Sequence, residues 1–270
     1  MTDLDISSSL KSKKLFLFDM DGTLYIGDSV FDGARELVKY INSIGSRVQF
    51  LTNNSSRSID KYVDKMTKLG FDATEDDYFT STLATVEYLR GIPDLGKIYA
   101  LGTASFCDEL SECGFDVTDK PQTDVDTLVM GFDTELCFRK LEDACVLLNR
   151  GVRYIATNPD LVCPTSYGFV PDCGSVAIML ENATGRKPFY IGKPRPEMAL
   201  LSMKRLGFDP QQTVLIGDRI YTDIACGINA GISTVLVMCG ETTPEILRNS
   251  RVKPHMVVDN PREILNFLMK

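Results

Sequence analysis

The chain has 270 residues, a length typical of about two domains, and its 44% hydrophobic and 24% charged residues exclude a disordered tail, a collagen-like repeat and a small disulfide scaffold. No apolar run reaches the roughly 20 residues that a membrane-spanning helix needs, so we expect no membrane partner. Lys and Arg total 29, Asp and Glu total 37, and the net charge of −8 lacks the broad positive field that attracts nucleic acid. We therefore expect no nucleic-acid partner.

Cysteine and histidine usage narrows the chemistry further. The eight cysteines contain no C-x-x-C pair, which argues against a zinc ribbon or a thioredoxin-like centre and is typical of thiols in a reducing compartment. Residues 1–5 carry two acids and no basic region, unlike a secretory signal, so we expect a cytoplasmic protein. The single histidine, His255, precedes an apolar strand and is interpreted as a surface or strand-edge residue.

Short apolar strands alternate with amphipathic helices from the start of the chain. Residues 15–18 form a continuous apolar run, typical of a strand that is buried on both faces. A helical stripe of apolar residues follows over 37–44 and stops at a glycine. Residues 48–51 predict the next strand and 58–69 the next helix. This order predicts a parallel sheet with right-handed crossovers.

The same alternation closes the chain, and a middle stretch has elements of its own. We predict closing strands over 214–216, 234–237 and 256–258, with helices over 196–206, 222–230, 243–249 and 261–269. In the middle we predict strands over 98–101, 128–130 and 154–157, with helices over 104–113, 138–148 and 175–184. No linker separates these blocks, so the pattern leaves open whether the middle stretch extends one sheet or forms an inserted domain.

Polar residues follow the predicted strands at the edge where ligands bind in an open parallel sheet. These residues are Asp19, Asp21, Gly22, Thr23, Thr52, Asn53, Lys193, Asp218 and Asp223. The acids would repel one another unless a cation lay among them, and such oxygen ligands together with a substrate phosphate suit Mg²⁺. Lys193, the Thr52 hydroxyl and the N–H groups of the glycine turn would then face the phosphate oxygens.

Each of these features has an ordinary alternative when it is taken alone. Asp-x-Asp-Gly after a strand is a common turn, and Thr52 could cap a helix. Lys193 could be a surface lysine, and the Gly217-Asp218 pair could be a simple strand-to-helix turn. Their occurrence together, in this order and each at a strand end, favours a phosphate-handling magnesium site.

Four segments resemble the motifs of the haloacid dehalogenase superfamily, specifically its NagD-like, 4-nitrophenylphosphatase branch. They are 15–24 (LFLFDMDGTL), 50–54 (FLTNN), 192–194 (GKP) and 217–224 (GDRIYTDI). The resemblance covers nearly the whole chain and implies an α/β fold with a Rossmann-like parallel-sheet core and an inserted α/β cap domain.

The spacing of the motifs locates that insertion. Asp21 and Thr52 are close in sequence, with room for one helix and one strand, whereas the interval from Thr52 to Lys193 far exceeds one crossover. We predict a discontinuous core over 1–81 and 189–270 and a cap domain over 82–188. A homo-oligomer through the cap is left open.

The resemblance implies a phosphomonoesterase that works through an aspartyl-phosphate. Asp19 would be the nucleophile, and Asp21 would protonate the leaving oxygen and then deprotonate the attacking water. Mg²⁺ would be held by the Asp19 carboxylate, the backbone carbonyl of Asp21 and Asp218. The second aspartate, Asp21, is absent from the dehalogenases of this superfamily, so the pattern is that of a phosphatase.

The remaining motif residues are assigned to the phosphate group. Thr52, Asn53 and Lys193 would bind its oxygens, and Asp223 would orient Lys193 or a metal-bound water. The expected substrate is a small phosphate ester, such as a sugar phosphate, a nucleoside monophosphate or an aryl phosphate like p-nitrophenyl phosphate. Two alternatives are an idle phosphate-binding or regulatory module on the same fold, and a phosphotransferase.

Two segments of the expected cap have a hypothetical role at the substrate. Residues 155–160 resemble the 52–53 motif and either face the active site or form an ordinary Asn-Pro turn. Residues 163–174, polar and aromatic, are hypothesised to recognise the leaving group.

Overall fold

The computed structural model describes residues 10–56, 59–165 and 167–270, and within them its elements are as follows. The strands are β1 (Leu15–Phe18), β2 (Tyr25–Ile26), β3 (Ser29–Val30), β4 (Arg47–Thr52), β5 (Tyr78–Thr80), β6 (Lys97–Leu101), β7 (Val117–Thr118), β8 (Val125–Met130), β9 (Arg153–Ala156), β10 (Val162–Thr165), β11 (Gly168–Pro171), β12 (Phe189–Tyr190), β13 (Thr213–Gly217), β14 (Ser233–Val237) and β15 (Met256–Val258). The helices are α1 (Ala34–Ser43), α2 (Ile59–Lys68), α3 (Ser81–Arg90), α4 (Ala104–Glu112), α5 (Phe138–Asn149), α6 (Cys173–Thr184), α7 (Glu197–Leu206), α8 (Ala225–Asn229), α9 (Pro244–Asn249) and α10 (Pro261–Met269). Short 3₁₀ turns occupy Glu75–Asp77 and Pro210–Gln212, and a π-helical turn occupies Ile220–Ile224.

The chain divides into two units, which we call the core unit and the middle unit. The core unit comprises Met1–Thr52, Ile59–Phe79 and Lys193–Lys270, and the middle unit comprises Asn53–Ser58 and Thr80–Gly192. These limits lie a few residues from the predicted bounds of 82 and 188, and they place a short segment after β4 in the middle unit. The role of the middle unit as a cap stays a prediction.

A six-stranded sheet in the order β15-β14-β13-β1-β4-β5 forms the centre of the core unit. The pairs from β15 to β4 are parallel, with Phe16 opposite Val214 on one side and Val48 on the other. All four side chains of β1 are fully buried, which explains why its sequence is continuously apolar rather than alternating. The predicted parallel sheet is thereby confirmed.

Helix α1 illustrates how the core helices attach to this sheet. Its buried residues, Ala34, Leu37, Val38 and Ile41, recur at helical spacing and form one apolar face. Those side chains join the same apolar cluster as the residues of β1 and β4. The helix therefore buries the stripe that the sequence predicts, and its end at residue 43 agrees with the predicted stop before Gly45.

The middle unit contains a separate five-stranded parallel sheet in the order β12-β9-β8-β6-β7. Helices α5 and α6 pack on it through an apolar cluster that includes Leu128, Leu147 and Val176. An antiparallel hairpin, β10–β11, also belongs to this unit. The middle stretch is therefore not an extension of the core sheet, which decides the alternative that the sequence pattern left open.

Most predicted elements are present with bounds shifted by a few residues. The helix predicted over 222–230 is shorter, because its first part is the π-helical turn and α8 begins at Ala225. The predicted start of α2 at residue 58 lies outside the described residues. In the described part of the chain no helix is both long enough and apolar enough to cross a bilayer.

Candidate active site

Asp19 directly follows β1, the strand at the middle of the core sheet. Its backbone N–H donates to the carbonyl of Ile216 on β13 at 2.9 Å, so the parallel pairing fixes its position. The side chain keeps 16% exposure, in contrast to the fully buried strand before it. Asp19 therefore lies at the carboxyl ends of the strands, the edge at which open α/β sheets bind ligands.

Lys193 lies against Asp19 although the two residues are far apart in the sequence. Its ammonium group, Nζ, donates to Asp19 Oδ1 at 2.5 Å and to Asp223 Oδ1 at 2.7 Å, and the Leu51 carbonyl lies 3.4 Å away. Lys193 itself is buried, with 2% exposure. Its single charge thus links the ends of β1 and β4 to the π-helical turn that holds Asp223.

The electrostatics of this pair follow from burial and from the neighbouring charges. Burial raises the pKa of Asp19 well above its usual range, and Asp223 adds to that rise while Lys193 opposes it. Burial alone would lower the pKa of Lys193, but Asp19 and Asp223 outweigh it and raise that pKa above its usual range. Lys193 therefore remains a fixed positive charge beside two carboxylates.

Asp218 occupies the adjacent strand end, directly after β13. Its Oδ1 accepts from the Thr23 hydroxyl at 3.1 Å, and its Oδ2 accepts from the Glu241 backbone N–H at 2.7 Å. A side chain at Gly22 or at Gly240 would overlap with this carboxylate, and Gly22 also has a φ of 92° that favours glycine. The two glycines let the backbone approach Asp218 closely.

Three carboxylates, those of Asp19, Asp218 and Asp223, offer oxygen atoms that lie within 4.8 Å of one another. They share this space with the cations Lys193 and Arg219, so full ionisation leaves an excess negative charge. Burial and the nearby Asp223 raise the pKa of Asp218 to about 6, which shows how costly its charge is without a cation. The donor set fits a magnesium ion, whose ligands are carboxylate oxygens and water.

This group of three carboxylates differs from the predicted metal ligands, which were Asp19, Asp21 and Asp218. Asp223 belongs to it and also accepts from Lys193, one of the two contacts that the sequence analysis named for it, the other being a metal-bound water. The carboxylate of Asp21 lies outside the group. For Asp21 the sequence analysis named the backbone carbonyl as the ligand, and that role stays a prediction.

The side chain of Asp21 instead contacts Lys65 and Tyr25. Its side chain is 55% exposed, with Oδ1 3.2 Å from Lys65 Nζ, while Oδ2 accepts from the Tyr25 hydroxyl at 3.4 Å. The Lys65 ammonium also lies 4.1 Å from the centre of the Tyr25 ring, within range of a cation–π interaction. Asp21 is thus solvent-accessible and held from two sides, whereas Asp19 and Asp218 are enclosed.

The predicted phosphate ligands Thr52 and Asn53 belong to different units. Thr52 is the buried last residue of β4 in the core unit. Asn53 belongs to the middle unit, where its side-chain amide donates to Asp160 Oδ2 at 3.1 Å and its carbonyl accepts from the Asn158 amide at 2.9 Å. The structure therefore brings Lys193 to Asp19, and it brings Asn53 to the 155–160 segment that resembles its own motif.

The structure adds charged residues to which the sequence analysis gave no role. Arg219 forms an ion pair with Glu241 at 2.9 Å, and its backbone N–H donates to Asp223 Oδ2 at 3.0 Å. Burial alone would lower the pKa of Arg219, but Asp19 and Glu241 outweigh it and raise that pKa. Arg219 stands inside the fourth motif and could have been found there, whereas Glu241 and Lys65 lie in no motif.

Comparison with known proteins places this geometry in a family. Residues 16–116 match the profile described as haloacid dehalogenase-like hydrolase, and residues 190–264 match the profile described as HAD-hydrolase-like. An acid sugar phosphatase of Staphylococcus aureus is 34% identical over 245 residues, which cover 91% of this chain and 94% of that protein. The chain belongs to the haloacid dehalogenase-like hydrolases.

Solved structures of such hydrolases locate the chain within the family. A 4-nitrophenylphosphatase from Thermotoga maritima superposes with a TM-score of 0.90 at 38% identity, covering 96% of this chain and 99% of that one. NagD from E. coli K-12 superposes with a TM-score of 0.86 at 29% identity, covering 93% and 98%. The predicted NagD-like, 4-nitrophenylphosphatase branch and the α/β fold are confirmed, and the chain is an enzyme, a hydrolase of the phosphatase type.

Proposed function

We propose that this hydrolase is a Mg²⁺-dependent phosphomonoesterase of small phosphate esters that works through an aspartyl-phosphate on Asp19. The observation that carries the proposal is the contact of 2.5 Å between Lys193 and Asp19. A carboxylate can approach a phosphate dianion only where positive charge offsets the repulsion, and Lys193 supplies such a charge beside the attacking oxygen. The names of the relatives, acid sugar phosphatase and 4-nitrophenylphosphatase, agree with small esters as substrates.

In the proposed reaction, a carboxylate oxygen of Asp19 attacks phosphorus as the bond to the ester oxygen breaks. The leaving oxygen takes a proton from Asp21, which must then be protonated when substrate binds. Asp21 afterwards removes a proton from the water that attacks the aspartyl-phosphate, which releases inorganic phosphate and regenerates Asp19. The exposure of Asp21 supports this double role, because its carboxylate is accessible to the water that attacks in the second step.

We propose that Asp19, Asp218 and the backbone carbonyl of Asp21 hold the metal ion. When bound, Mg²⁺ would neutralise negative charge that develops on the transferring phosphoryl group. Asp223 would act through Lys193, since its hydrogen bond of 2.7 Å holds the ammonium group in place. Thr52, Asn53 and Lys193 would bind the phosphate oxygens.

We also propose a compartment and a range of substrates for the enzyme. Cysteines 107, 113, 137, 145, 163, 173, 226 and 239 are all free thiols, as expected of a protein in the cytoplasm. Sugar phosphates and aryl phosphates agree with the names of the relatives, and nucleoside monophosphates extend the proposal to another class of small ester.

The test is the release of inorganic phosphate from a panel of sugar phosphates, nucleoside monophosphates, p-nitrophenyl phosphate and phosphopeptides, with Mg²⁺ and without it. Small esters should exceed phosphopeptides in kcat/KM by at least about tenfold, a difference of ~1.4 kcal/mol. Asp19→Asn is nearly isosteric and serves as the matched inactive variant. It should lose at least about a hundredfold in kcat, since removal of a nucleophile normally costs more than that.

The outcomes separate the alternatives. No phosphate release from any ester, with or without Mg²⁺, would favour an idle module. Release of the alcohol without an equal amount of inorganic phosphate would indicate transfer to another acceptor, and the proposed hydrolysis would be wrong. Phosphopeptides that matched every small ester would overturn the assignment to small substrates.

A further inference from the structure

A cavity of about 560 Å³ opens in the core unit at the amino-terminal ends of its strands. It is lined by segments that precede β1, β13, β14 and β15, which all run parallel. Asp19 lies at the opposite ends of these strands. Since Lys13 in the lining and Asp19 are separated by a buried strand rising about 3.3 Å per residue, the cavity lies roughly 20 Å from the candidate active site.

The charged lining of this cavity is positive, although the chain as a whole carries a net charge of −8. Its lining includes Lys13, Lys253 and His255, and in the part of the chain that the structure describes it includes no carboxylate. Lys13 lies close enough to His255 to lower the pKa of its ring, although burial of the ring has the larger effect. Two lysines without a carboxylate are the reverse of what the acidic composition predicts for an average surface region.

Lys13 is the most informative residue of the lining. It is only 5% exposed, and its ammonium group donates to the carbonyl of Gln211 at 2.7 Å. Among the described residues it forms no ion pair, and burial lowers its pKa with no carboxylate to oppose the shift. Because a lysine ammonium carries three donor hydrogens and a buried charge is costly without a counterion, an anion beside Lys13 would relieve that cost.

His255 presents a donor at the edge of the cavity. Its Nδ1 accepts from the backbone N–H of Thr234 at 3.2 Å, and the Thr234 hydroxyl lies 2.9 Å from the same nitrogen. When Nδ1 accepts, the neutral imidazole carries its proton on Nε2. The backbone of β14 thus selects the tautomer in which Nε2–H is the ring's donor, and the second exposed donor, Lys253, comes two residues earlier in the same segment.

We propose that this cavity binds the phosphate group of a small phosphorylated molecule. The phosphate would lie on Lys13, Lys253 and His255, since a group with several acceptor oxygens can engage three separate donors at once. The lining also contains the apolar side chains of Pro210, Ile228 and Ile232, which would contact the organic part of the molecule. The volume falls within the range of about 300–1,000 Å³ that is usual for small-molecule sites.

His255 provides a direct measurement, because it is the only histidine in the chain and its ring-proton resonances need no assignment. Chelator-treated and dialysed protein is titrated with inorganic phosphate and, separately, with phenylphosphonate, at constant ionic strength. Both should shift the His255 resonances in a saturable way and raise the titration midpoint of the ring, because a bound anion favours the charged imidazole. Tighter binding of phenylphosphonate would indicate an organic phosphate as occupant, and equal binding would indicate inorganic phosphate.

Three lysine variants test whether phosphate binds in this cavity. Lys13→Met and Lys253→Met should each weaken phosphate binding by about tenfold, the effect of removing one charge-assisted hydrogen bond. Lys14→Met is the matched control, because Lys14 is exposed and adjacent in sequence but does not line the cavity. Lys253 is exposed, so its variant stays informative if the variant of buried Lys13 fails to fold, and its activity on p-nitrophenyl phosphate should equal that of the wild type.

The proposal is wrong if phosphate and phenylphosphonate leave the His255 resonances unmoved. It is also wrong if Lys253→Met and Lys14→Met bind phosphate with the same affinity. Acetate serves as the carboxylate probe. Shifts with acetate equal to those with phosphate would overturn the assignment to a phosphate group. None of these results depends on the catalytic proposal, since they are read at the far end of the sheet.

Discussion

The ammonium group of Lys65 lies 3.2 Å from Oδ1 of Asp21, the carboxylate to which we assign proton transfer. The same ammonium lies over the ring of Tyr25, whose hydroxyl contacts the other carboxylate oxygen. Asp21 is more than half exposed, so these two contacts are what orients it. Lys65 is therefore a positioning residue of the proposed reaction, although it stands in no recognisable motif.

The first prediction concerns Lys65. Lys65→Met should lower kcat by about three- to tenfold for an alkyl phosphate, because a misaligned acid transfers its proton less effectively to a poor leaving group. The loss should be smaller for p-nitrophenyl phosphate, whose leaving group needs little protonation. Lys68→Met, three residues along α2 and exposed, is the control for a general effect of lost charge. Equal losses on both substrates would contradict the positioning role.

The second prediction concerns the charge balance around Lys193. Lys193→Met should abolish measurable turnover and, without metal, destabilise the protein by about 3–5 kcal/mol, the usual cost of leaving buried carboxylates without their cation. Urea unfolding of the metal-free variant measures this cost. Lys204→Met, an exposed lysine on α7, should unfold like the wild type. A metal-free Lys193→Met variant of wild-type stability would show that Asp19 and Asp223 do not depend on this lysine.

The third prediction concerns metal binding. Mg²⁺ should raise the thermal unfolding midpoint of the wild type, because an ion that binds only the folded state stabilises it. Asp218→Asn should remove most of this rise and most of the activity, while Glu245→Gln, an exposed acid on α9, should retain both. Activity that survives complete removal of metal would contradict the proposed site, as would an unchanged Mg²⁺ response in Asp218→Asn.

The fourth prediction concerns Glu109 on α4 of the middle unit, a residue with no role in the proposed chemistry. Burial, with a smaller contribution from Glu112, raises the pKa of Glu109 from 4.5 to about 7. The folded state therefore holds this proton more tightly than the unfolded state, so the contribution of Glu109 to stability is greatest below pH 4.5 and falls as the pH rises towards 7.

Substitution by glutamine tests this sign. Glu109→Gln should unfold at a higher temperature than the wild type above about pH 7, where the wild type carries the unfavourable charge, and the difference should vanish near pH 4. Glu142→Gln, an exposed acid on α5, should show no such pH-dependent gain. A constant difference between Glu109→Gln and the wild type at all pH values would exclude ionisation as its cause.

The sequence predicts the candidate site well where the backbone determines it. Asp19 and Asp218 follow parallel strands that pair directly, so the strand-end rule brings them together, and Lys193 follows from its place in the motif order. Lys65 and Glu241 could not be predicted, because each reaches the site through one side-chain rotamer from a helix or loop with no pattern of its own. Asn53 shows another limit of prediction from sequence. It is the neighbour of Thr52 in the chain, and nothing in the sequence indicates that the boundary between the two units falls between these residues.

For the fold, elements with a clear apolar pattern were predictable and the two-residue strands were not. A fully apolar run such as β1 or a clear stripe such as that of α1 carries several residues of evidence. The two-residue strands β2, β3, β7 and β12 carry almost none, since their pairing is set by tertiary contacts. The π-helical turn before α8 is likewise absent from the apolar periodicity, because Thr222 and Asp223 are buried polar residues that the apolar pattern passes over.

The pairing of β1 with β13 has a consequence for the order in which the chain folds during synthesis. Phe16 on β1 pairs with Val214 on β13, which lies almost two hundred positions later in the chain. A ribosome needs roughly 10 to 40 s to synthesise the residues between them. Strands β6 to β12 all precede β13 in the chain, so the sheet of the middle unit can close before β13 leaves the ribosome, while β1 still lacks a neighbour on one side. A ribosome-bound chain arrested with β12 outside the ribosome and β13 still inside should therefore show a protease-resistant middle unit and a cleavable segment around residues 15–52. The apolar run of β1 is the stretch most in need of a chaperone during that interval, and its protection should appear only once β13 has left the ribosome.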